Sequence, residues 1–229
     1  MLAHQHDIVA KALVERWKDF DAYLLTCRDL SLSGWRCYLS SLGDSRAVAS
    51  GKIIAYAETK GVLTRLSRIL EHDLPNIVNI DRVFVAAEMT AFLMFWLSSL
   101  KCPILNRPTP TSLSGPNWHQ AQWVFAASKL GIPIHPFHID TSKNLGKSES
   151  VTNFHPLTVT VVGRSCFGEA DDTLKTYARG LAAAAGVNLL SVCFSSRESG
   201  SYFISADQMP DISSKEVSDA VLEYFDKGN

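Results

Sequence analysis

The sequence predicts an α/β protein whose strands pair at least partly in parallel, and three observations support that prediction. Short apolar segments alternate with helical segments along most of the chain, which is typical of βα units. The clearest strand segment, LTVTVVG at 157–163, is followed by a helical segment that stops at Gly186. A chain of 229 residues that is 46% hydrophobic and 20% charged can bury a large core.

In the N-terminal half, the apolar residues of 7–19 share one helical face and predict a helix. Strands are predicted at 22–27, 52–57, 61–66 and 102–106, although 63–70 could instead be helical. The segment from Asp81 to Leu100 is apolar nearly all round. It predicts a helix buried inside a globular domain rather than a membrane span, because Glu88 lies within it and no basic flank supports insertion.

The C-terminal half begins after a proline-rich loop, 106–117, that cannot form regular structure. A helix is predicted at 118–130, and an extended segment at 132–139. The polar stretch 140–156 has no apolar period and predicts a linker or exposed loop. Beyond it we predict strands at 157–163, 187–194 and 201–206 and helices at 171–186 and 213–227, with Ser213 or Ser214 as the last N-cap.

Charge and cysteine usage exclude several classes of protein. The formal net charge is −1 with no long basic run, so the electrostatic footprint of a nucleic-acid-binding protein is absent from the sequence. The five cysteines are odd in number and show no zinc spacing, which favours reduced, mostly buried thiols. No secretory signal precedes the first helix, and we expect a soluble, cytoplasmic protein.

Two blocks resemble one family, the ATP-grasp ligases of the RimK-like type. Residues 82–134, with the motifs NRP and GPNW and a helix ending in GIP, are similar to the Rossmann-like pre-ATP-grasp domain, and KGVLTRLS at 60–67 resembles its upstream strand. Residues 159–225, with VVG and a hairpin ahead of Pro210 and Asp211, look like the C-terminal lobe. The resemblance implies a pre-ATP-grasp-like domain at 1–139, a linker at 140–156 and a small α+β lobe at 157–229.

The sequence departs from this family where the family binds ATP. Only the polar stretch 140–156 lies between the two blocks, so the central ATP-binding lobe, with its phosphate-binding lysine and Gly-rich flap, is predicted to be absent. Where the family carries a Glu and an Asn two residues apart, this chain has Ser205 and Asp207. Magnesium prefers anionic oxygen ligands, and acyl-phosphate chemistry depends on metals and cations at the phosphates. Catalysis by the family's route is therefore not expected, and no catalytic residue is assigned.

Several residues are candidates for ligand binding. Arg65 and Arg107 lie at predicted strand ends, where open α/β sheets place their ligand crevice. The alternative favoured for both is structural: pairing with a backbone carbonyl or with Glu88, which needs a partner if buried. Loop residues Asn106 and Asn117 more simply satisfy backbone groups. The full candidate set is Arg65, Glu88, Asn106, Arg107, Asn117 and Trp118, with one of Trp118 and Trp123 expected in the core.

The leading hypothesis is a non-catalytic, degenerate ATP-grasp-like protein that serves as an accessory subunit in a peptide- or amino-acid-modifying pathway. It would form a homodimer or dock on a separate enzyme, with a peptide as a possible ligand. No nucleic acid, membrane or cofactor is expected to bind. One alternative is a compact ATP-dependent carboxylate–amine ligase using ATP and magnesium through Arg164, Lys175 and Asp207. Another is a metal-binding protein using His135, His138 or Asp207, although i, i+3 histidines around a proline are not an established ligand pattern.

Overall fold

The computed structural model describes residues 1–135, 156–197 and 200–228. These residues form two compact units, Met1–Asn117 with Asp211–Asn229, and Trp118–Pro210. The α-helices are α1 Ile8–Arg16, α2 Asn79–Ser99, α3 Gln120–Lys129, α4 Asp172–Ala185 and α5 Lys215–Lys227. The strands are β1 Leu2–Ala3, β2 Arg46–Ala49, β3 Lys52–Ala55, β4 Val62–Arg65, β5 Ile104–Leu105, β6 Leu157–Val162, β7 Ser165–Phe167, β8 Leu189–Phe194 and β9 Phe203–Asp207. The mixture of parallel and antiparallel sheets confirms the α/β class.

The first unit is built on a short parallel sheet in the order β1–β4–β5. Leu2 pairs with Thr64, and Leu63 pairs with Leu105. A separate antiparallel hairpin joins β2 to β3. A core cluster that includes one face of α2 gathers the apolar residues of this unit, among them Leu2, Val62, Leu93, Trp96, Leu97 and Ile104. Since β4 ends at Arg65, the strand interpretation of this region is correct and the helical alternative is wrong.

Two expectations for the first unit are corrected. Residues 22–27 do not form a strand; only Leu25 makes an isolated bridge to Leu2. The Asp29 carboxylate accepts hydrogen bonds from the Thr26 N–H and hydroxyl, at 2.9 and 2.8 Å, which turns the chain instead. Helix α2 is not buried all round, because Ala86, Leu93, Trp96 and Leu97 bury one stripe and leave a second apolar stripe exposed.

The second unit is a four-stranded antiparallel sheet in the order β7–β6–β8–β9. Helices α3 and α4 pack with one face of this sheet, where Val159, Val161, Leu190, Val192 and Phe194 join the core. The predicted stop of α4 is confirmed, because Gly186 ends the helix in the left-handed conformation, and the Asp171 side chain caps its N-terminus. Strand β7 was not predicted, because three residues are too few for a period to show.

The segment around 132–139 is extended only in part among the described residues. Ile134 bridges to Phe203, and the Phe203 N–H donates to the Pro133 carbonyl at 2.8 Å. The predicted linker 140–156 lies outside the described residues except for Pro156, so the predicted domain division stays a prediction. The two compact units place α3 with the C-terminal sheet and α5 with the N-terminal residues.

None of the helices in the part of the chain that the structure describes has both the length and the hydropathy of a membrane-spanning segment.

Candidate functional site

The carboxyl ends of the parallel strands bring several polar side chains of the first unit to one edge. Ala3 pairs with Arg65, so the residues that follow β1 and the end of β4 lie side by side there. The Arg65 Nε donates to the Asp7 Oδ2 at 2.9 Å, and the two side chains are only 10% and 16% exposed. Asp7 also caps α1, since its Oδ1 accepts from the Ala10 N–H at 2.9 Å. One carboxylate therefore fixes both a helix start and a strand end.

The positive charge of Arg65 also acts on a second carboxylate, that of Asp211. The Asp211 Oδ1 accepts from the Ser213 N–H at 2.9 Å. Hydrogen bonds from the Ser213 side chain and backbone lower the pKa of the Asp211 carboxyl most, and the positive charge of Arg65 lowers it further. Arg65 thus pairs with Asp7 and also acts on the Asp211 carboxylate through its charge.

A histidine–aspartate pair lies at the same edge. The His4 Nε2 is 2.6 Å from the Asp73 Oδ1, and the Asp73 side chain is 4% exposed. The His6 N–H donates to the His4 Nδ1 at 3.2 Å, so the His4 Nε2 carries the proton that it donates to Asp73. The Leu70 N–H donates to the other Asp73 oxygen at 2.9 Å. Sequence reasoning missed Asp7, His4 and Asp73, because a two-residue strand carries no periodic signal to mark its end.

Asn106 and Arg107, predicted at the end of β5, differ in burial and in contacts. Asn106 is buried at 1% exposure. The Thr64 hydroxyl is within 3.0 Å of the Leu105 carbonyl and 2.8 Å of the Asn106 carbonyl, which ties β4 to this turn. The exposed Arg107 donates to the carbonyls of Leu100 and Cys102, at 3.4 and 3.1 Å. That is the structural alternative predicted for an arginine at this position.

The predicted pairing of Glu88 with Arg65 or Arg107 is wrong. Glu88 is exposed on α2, and Arg65 pairs with Asp7 instead. The physical reason is that α2 buries only one of its faces, so a carboxylate on the other face stays in water and needs no buried partner.

The remaining candidates are divided between the two units. Asn117 is exposed at the end of the first unit. In the second unit, Trp118 is half-buried and stacks edge-on against the buried Trp123, with ring centroids 4.7 Å apart, so one tryptophan is in the core as expected. His135 is exposed and its ring lies 5.6 Å from the Tyr202 ring, while His138 lies outside the described residues. Within the described ranges, no group of three or more His, Cys, Asp or Glu residues could hold a metal ion.

The sheet of the second unit has a face opposite α4 that is lined with hydroxyl groups, which we call the hydroxyl face. Its cross-strand rows follow from the register of β6, β8 and β9: Thr158, Cys193 and Ser205 form one row, and Thr160, Ser191 and Asp207 form the next. The hydroxyls of Thr160 and Ser191 lie 2.7 Å apart. Burial raises the pKa of the Cys193 thiol, although its hydrogen bonds with Ser205 and Thr158 act in the opposite direction.

The hydroxyl face does not fit the magnesium site that the resemblance implies. Asp207 is the single carboxylate among its six residues, it is exposed, and its Oδ1 accepts from the Met209 N–H at 2.8 Å. Glu169, just beyond β7, pairs with Arg197 instead. A magnesium ion is usually held by carboxylates together with phosphates and water, and neutral hydroxyls and a thiol are poor replacements.

The residues of the alternative ligase site are not brought together. Arg164 is exposed in the turn between β6 and β7. Lys175 lies on α4, which packs on the opposite face of the sheet from Asp207. The described part of the chain therefore does not place Lys175 and Asp207 around one phosphate.

Comparisons with known proteins agree with the fold. No protein-family model and no curated protein matches the chain by sequence. Among solved structures, the chain is similar to the macrocyclase MdnC bound with precursor peptide MdnA from Microcystis aeruginosa MRC, at 10% identity, a TM-score of 0.70 and coverage of 98% of this chain and 97% of that one. It is also similar to the ATP-grasp ligase PsnB complexed with minimal precursor, Mg and ADP (12% identity, TM-score 0.68, 98% and 97% covered).

A third similar structure is a Chryseobacterium gregarium RiPP-associated ATP-grasp ligase in complex with ADP and a leader and core peptide, at 10% identity, a TM-score of 0.67 and coverage of 100% and 96%. At these identities the likeness concerns the fold. This chain therefore shares its fold with these three structures, two of which are described as ATP-grasp ligases.

Proposed function

We propose that this chain is a non-catalytic ATP-grasp-like subunit that works in a peptide-modifying pathway, where it binds a peptide or a separate modifying enzyme. The hydroxyl face carries this proposal. In a ligase, this region of the C-terminal lobe would supply acidic ligands for the metal that neutralises the phosphates. Here Ser205 lies across the sheet from Cys193 instead, and Asp207 is the single, exposed carboxylate of the face.

The length of the chain between the two ATP-grasp-like blocks supports the same proposal. The polar stretch 140–156 contains neither an apolar strand pair nor a Gly-rich phosphate loop. A lobe that clamps a triphosphate needs both a sheet and its own apolar core. We therefore propose that this chain is a truncated, RimK-like relative that has lost the clamp.

The peptide context rests on the similar structures, three of which were solved with precursor or leader and core peptides. Fold likeness alone does not carry substrate recognition from one protein to another, so the peptide is part of the proposal. Loss of nucleotide chemistry and retention of the scaffold would leave binding as the remaining function.

Isothermal titration calorimetry with ATP and magnesium tests the proposal directly. We expect no binding heat for the wild-type chain and no ADP formation when peptides are added. An Asp207→Asn variant should behave like the wild type, and so should an Asp172→Asn control on α4. Nucleotide binding that is lost in Asp207→Asn but kept in Asp172→Asn would refute a non-catalytic role.

A pull-down of the tagged chain from its native cells tests the partner. We expect a precursor peptide or a peptide-modifying enzyme in the recovered complex, with its mass measured by light scattering. Recovery of the chain alone would contradict the role of an accessory subunit.

The second candidate is a compact ATP-dependent carboxylate–amine ligase, and one observation favours it. The structural matches extend over 96–97% of one macrocyclase chain and two ATP-grasp ligase chains rather than over one lobe. ADP release that depends on both peptide and magnesium would establish this function in place of the first.

A further inference from the structure

The hairpin of β2 and β3 belongs to a small β-ribbon that carries two arginines side by side. Arg36 and Arg46 are directly opposite each other in an antiparallel bridge. The backbone N–H of each residue donates to the carbonyl of the other, at 3.1 and 2.7 Å, so two hydrogen bonds fix this pairing. Opposite residues of an antiparallel pair have Cβ atoms about 5 Å apart and point to the same face. The two guanidinium groups therefore leave the ribbon from adjacent points.

The register of the hairpin shows which way the arginines point. Ala47 and Ala49 belong to the core cluster of the first unit. Because side chains alternate along a strand, Arg46 and Val48 point away from that core. Both arginines are accordingly exposed. The outward side of the ribbon, which we call the paired-arginine face, consists of Arg36, Arg46, Val48, Ile53 and Ala55.

Within the chain, nothing offsets the repulsion between the two arginines. Among the described residues, the side chains of Arg36 and Arg46 form no hydrogen bond and no ion pair. Other arginines of the first unit are held, since Arg16 donates to a carbonyl and a hydroxyl and Arg65 pairs with Asp7. Like charges directly opposite each other on a sheet are destabilising. An anion bound between the two guanidinium groups would remove this repulsion.

An apolar row lies next to the arginines on the same face. Val48 pairs with Ile53 across the hairpin, and Ile53 is 55% exposed. Gly34 completes the row, because a Cβ on Gly34 would lie only 3.1 Å from the Val48 Cγ2 and 3.2 Å from the Ile53 Cγ1. The missing side chain therefore leaves room for these two apolar side chains over the backbone of Gly34. The apolar row and the arginine row are two residues apart along the strands, about 7 Å.

We propose that the paired-arginine face binds an acidic peptide segment. Two neighbouring carboxylates of the segment pair with Arg36 and Arg46, and an apolar side chain packs on Ile53. A guanidinium group presents parallel N–H donors that match a carboxylate in a bidentate pair. Carboxylates two residues apart in an extended segment are about 7 Å apart, within reach of two long arginine side chains. The inference names the class of partner for the proposed subunit, so it rests on the proposed function.

The apolar row favours a peptide over other anions. A free phosphate ion would contact the arginines and gain nothing from Ile53. A nucleic acid needs cations along a stripe of its backbone. The neighbouring cation of the hairpin, Lys52, instead lies over the Tyr23 ring, 4.9 Å from its centroid, and the formal net charge of the chain is −1.

Fluorescence anisotropy of the full chain with a rhodamine-labelled peptide of the repeat Glu-Glu-Leu tests the inference. The control peptide has glutamine in place of every glutamate. We expect the acidic peptide to bind about tenfold or more tightly than the control at low salt, and Arg36→Gln or Arg46→Gln to weaken its binding about fivefold or more. Arg179→Gln is the matched control variant, because Arg179 is an exposed arginine on α4 in the other unit, and it should leave the affinity unchanged.

Arg46→Glu separates binding from folding. The introduced carboxylate would lie opposite Arg36 and turn a repulsive pair into an attractive one. We therefore expect the melting temperature to rise by about 1–3 °C, while binding of the acidic peptide is lost. A lower melting temperature in a variant that remains folded by circular dichroism would show that the two arginines do not repel each other, and the inference would be overturned.

The peptide titration can also overturn the inference. Equal affinities for the acidic and the control peptide would do so, and so would an equal loss in Arg36→Gln and Arg179→Gln. Tighter binding of a single-stranded oligonucleotide of the same charge, weakened by the same variants, would replace the peptide by nucleic acid. None of these outcomes depends on ATP, so calorimetric detection of nucleotide binding would refute the proposed function and leave the peptide result as it stands.

Discussion

The edge of the parallel sheet in the first unit and the hydroxyl face in the second unit hold their polar side chains in opposite ways. At the edge, charged groups are paired and nearly buried, as Arg65 and Asp7 are. On the hydroxyl face, neutral groups bond to one another, as Thr160 and Ser191 do. Removing one partner of the charged pair should cost much stability, because a lone buried charge is poorly solvated. Removing one partner of a neutral hydroxyl pair should cost less, because an unpaired hydroxyl is less costly to bury. Neither arrangement leaves a cluster of charges aimed at a phosphate.

Among the variants of these two regions, Arg65→Ala should lower the free energy of unfolding most. Its loss leaves the Asp7 carboxylate, at 16% exposure, without its charged partner, so we expect a loss of about 3 kcal/mol in the free energy of unfolding. Urea denaturation followed by circular dichroism measures it. Arg107→Ala is the matched control, since the exposed Arg107 donates to two backbone carbonyls, and it should cost about 1 kcal/mol or less. Equal losses would mean that the Arg65–Asp7 pair has no special role.

Thr160→Val should have an intermediate effect. It removes one partner of the 2.7 Å hydrogen bond to Ser191 and should cost about 1 kcal/mol. The double variant Thr160→Val with Ser191→Ala should lose less than the sum of the single variants, because no unpaired hydroxyl then remains. Urea denaturation of all three variants provides the cycle, and strict additivity would show that the two hydroxyls do not interact.

The change in stability at acid pH that comes from Asp211 should be smaller than these effects, and it should arise in the first unit. The pKa of the Asp211 carboxyl is below its usual value in the folded chain, so its contribution to stability is present above about pH 4. That contribution is lost as the pH falls through the folded pKa. Asp211→Asn should therefore flatten the loss of stability in acid, as measured by thermal unfolding at a series of pH values. A steeper loss in the variant would contradict the sign of the shift.

The smallest effect should be on thiol reactivity. Burial raises the pKa of the Cys27 thiol to about 11, and the negative charge of Asp73 adds to this. Asp73→Asn should lower the pKa of Cys27 and speed its alkylation at alkaline pH, while Cys193 on the hydroxyl face keeps its rate. Mass spectrometry of the alkylated peptides measures both rates, and an equal change at both cysteines would indicate general loosening of the fold.

Long segments with a strong period were predictable from sequence, and short ones were not. Helices α3, α4 and α5 and strands β6 and β8 lie where periodicity and caps placed them, because each buries a regular face of its own. Strands β1 and β7 have two and three residues and depend on neighbours for their pairing. The burial of α2 was overestimated for a related reason. An apolar helix has the same sequence pattern whether one face or every face is packed.

By itself, the sequence determined the α/β class, the ATP-grasp resemblance, the absence of a second acid beside Asp207 and the polar stretch between the two blocks, because all of these depend on residue order alone. Only the tertiary structure decided that Arg65 pairs with Asp7 rather than Glu88, that Lys175 and Asp207 lie on opposite faces of a sheet, and that α2 exposes an apolar stripe. Such facts depend on which distant elements pack together, and side-chain contacts across many residues leave no local pattern in the chain.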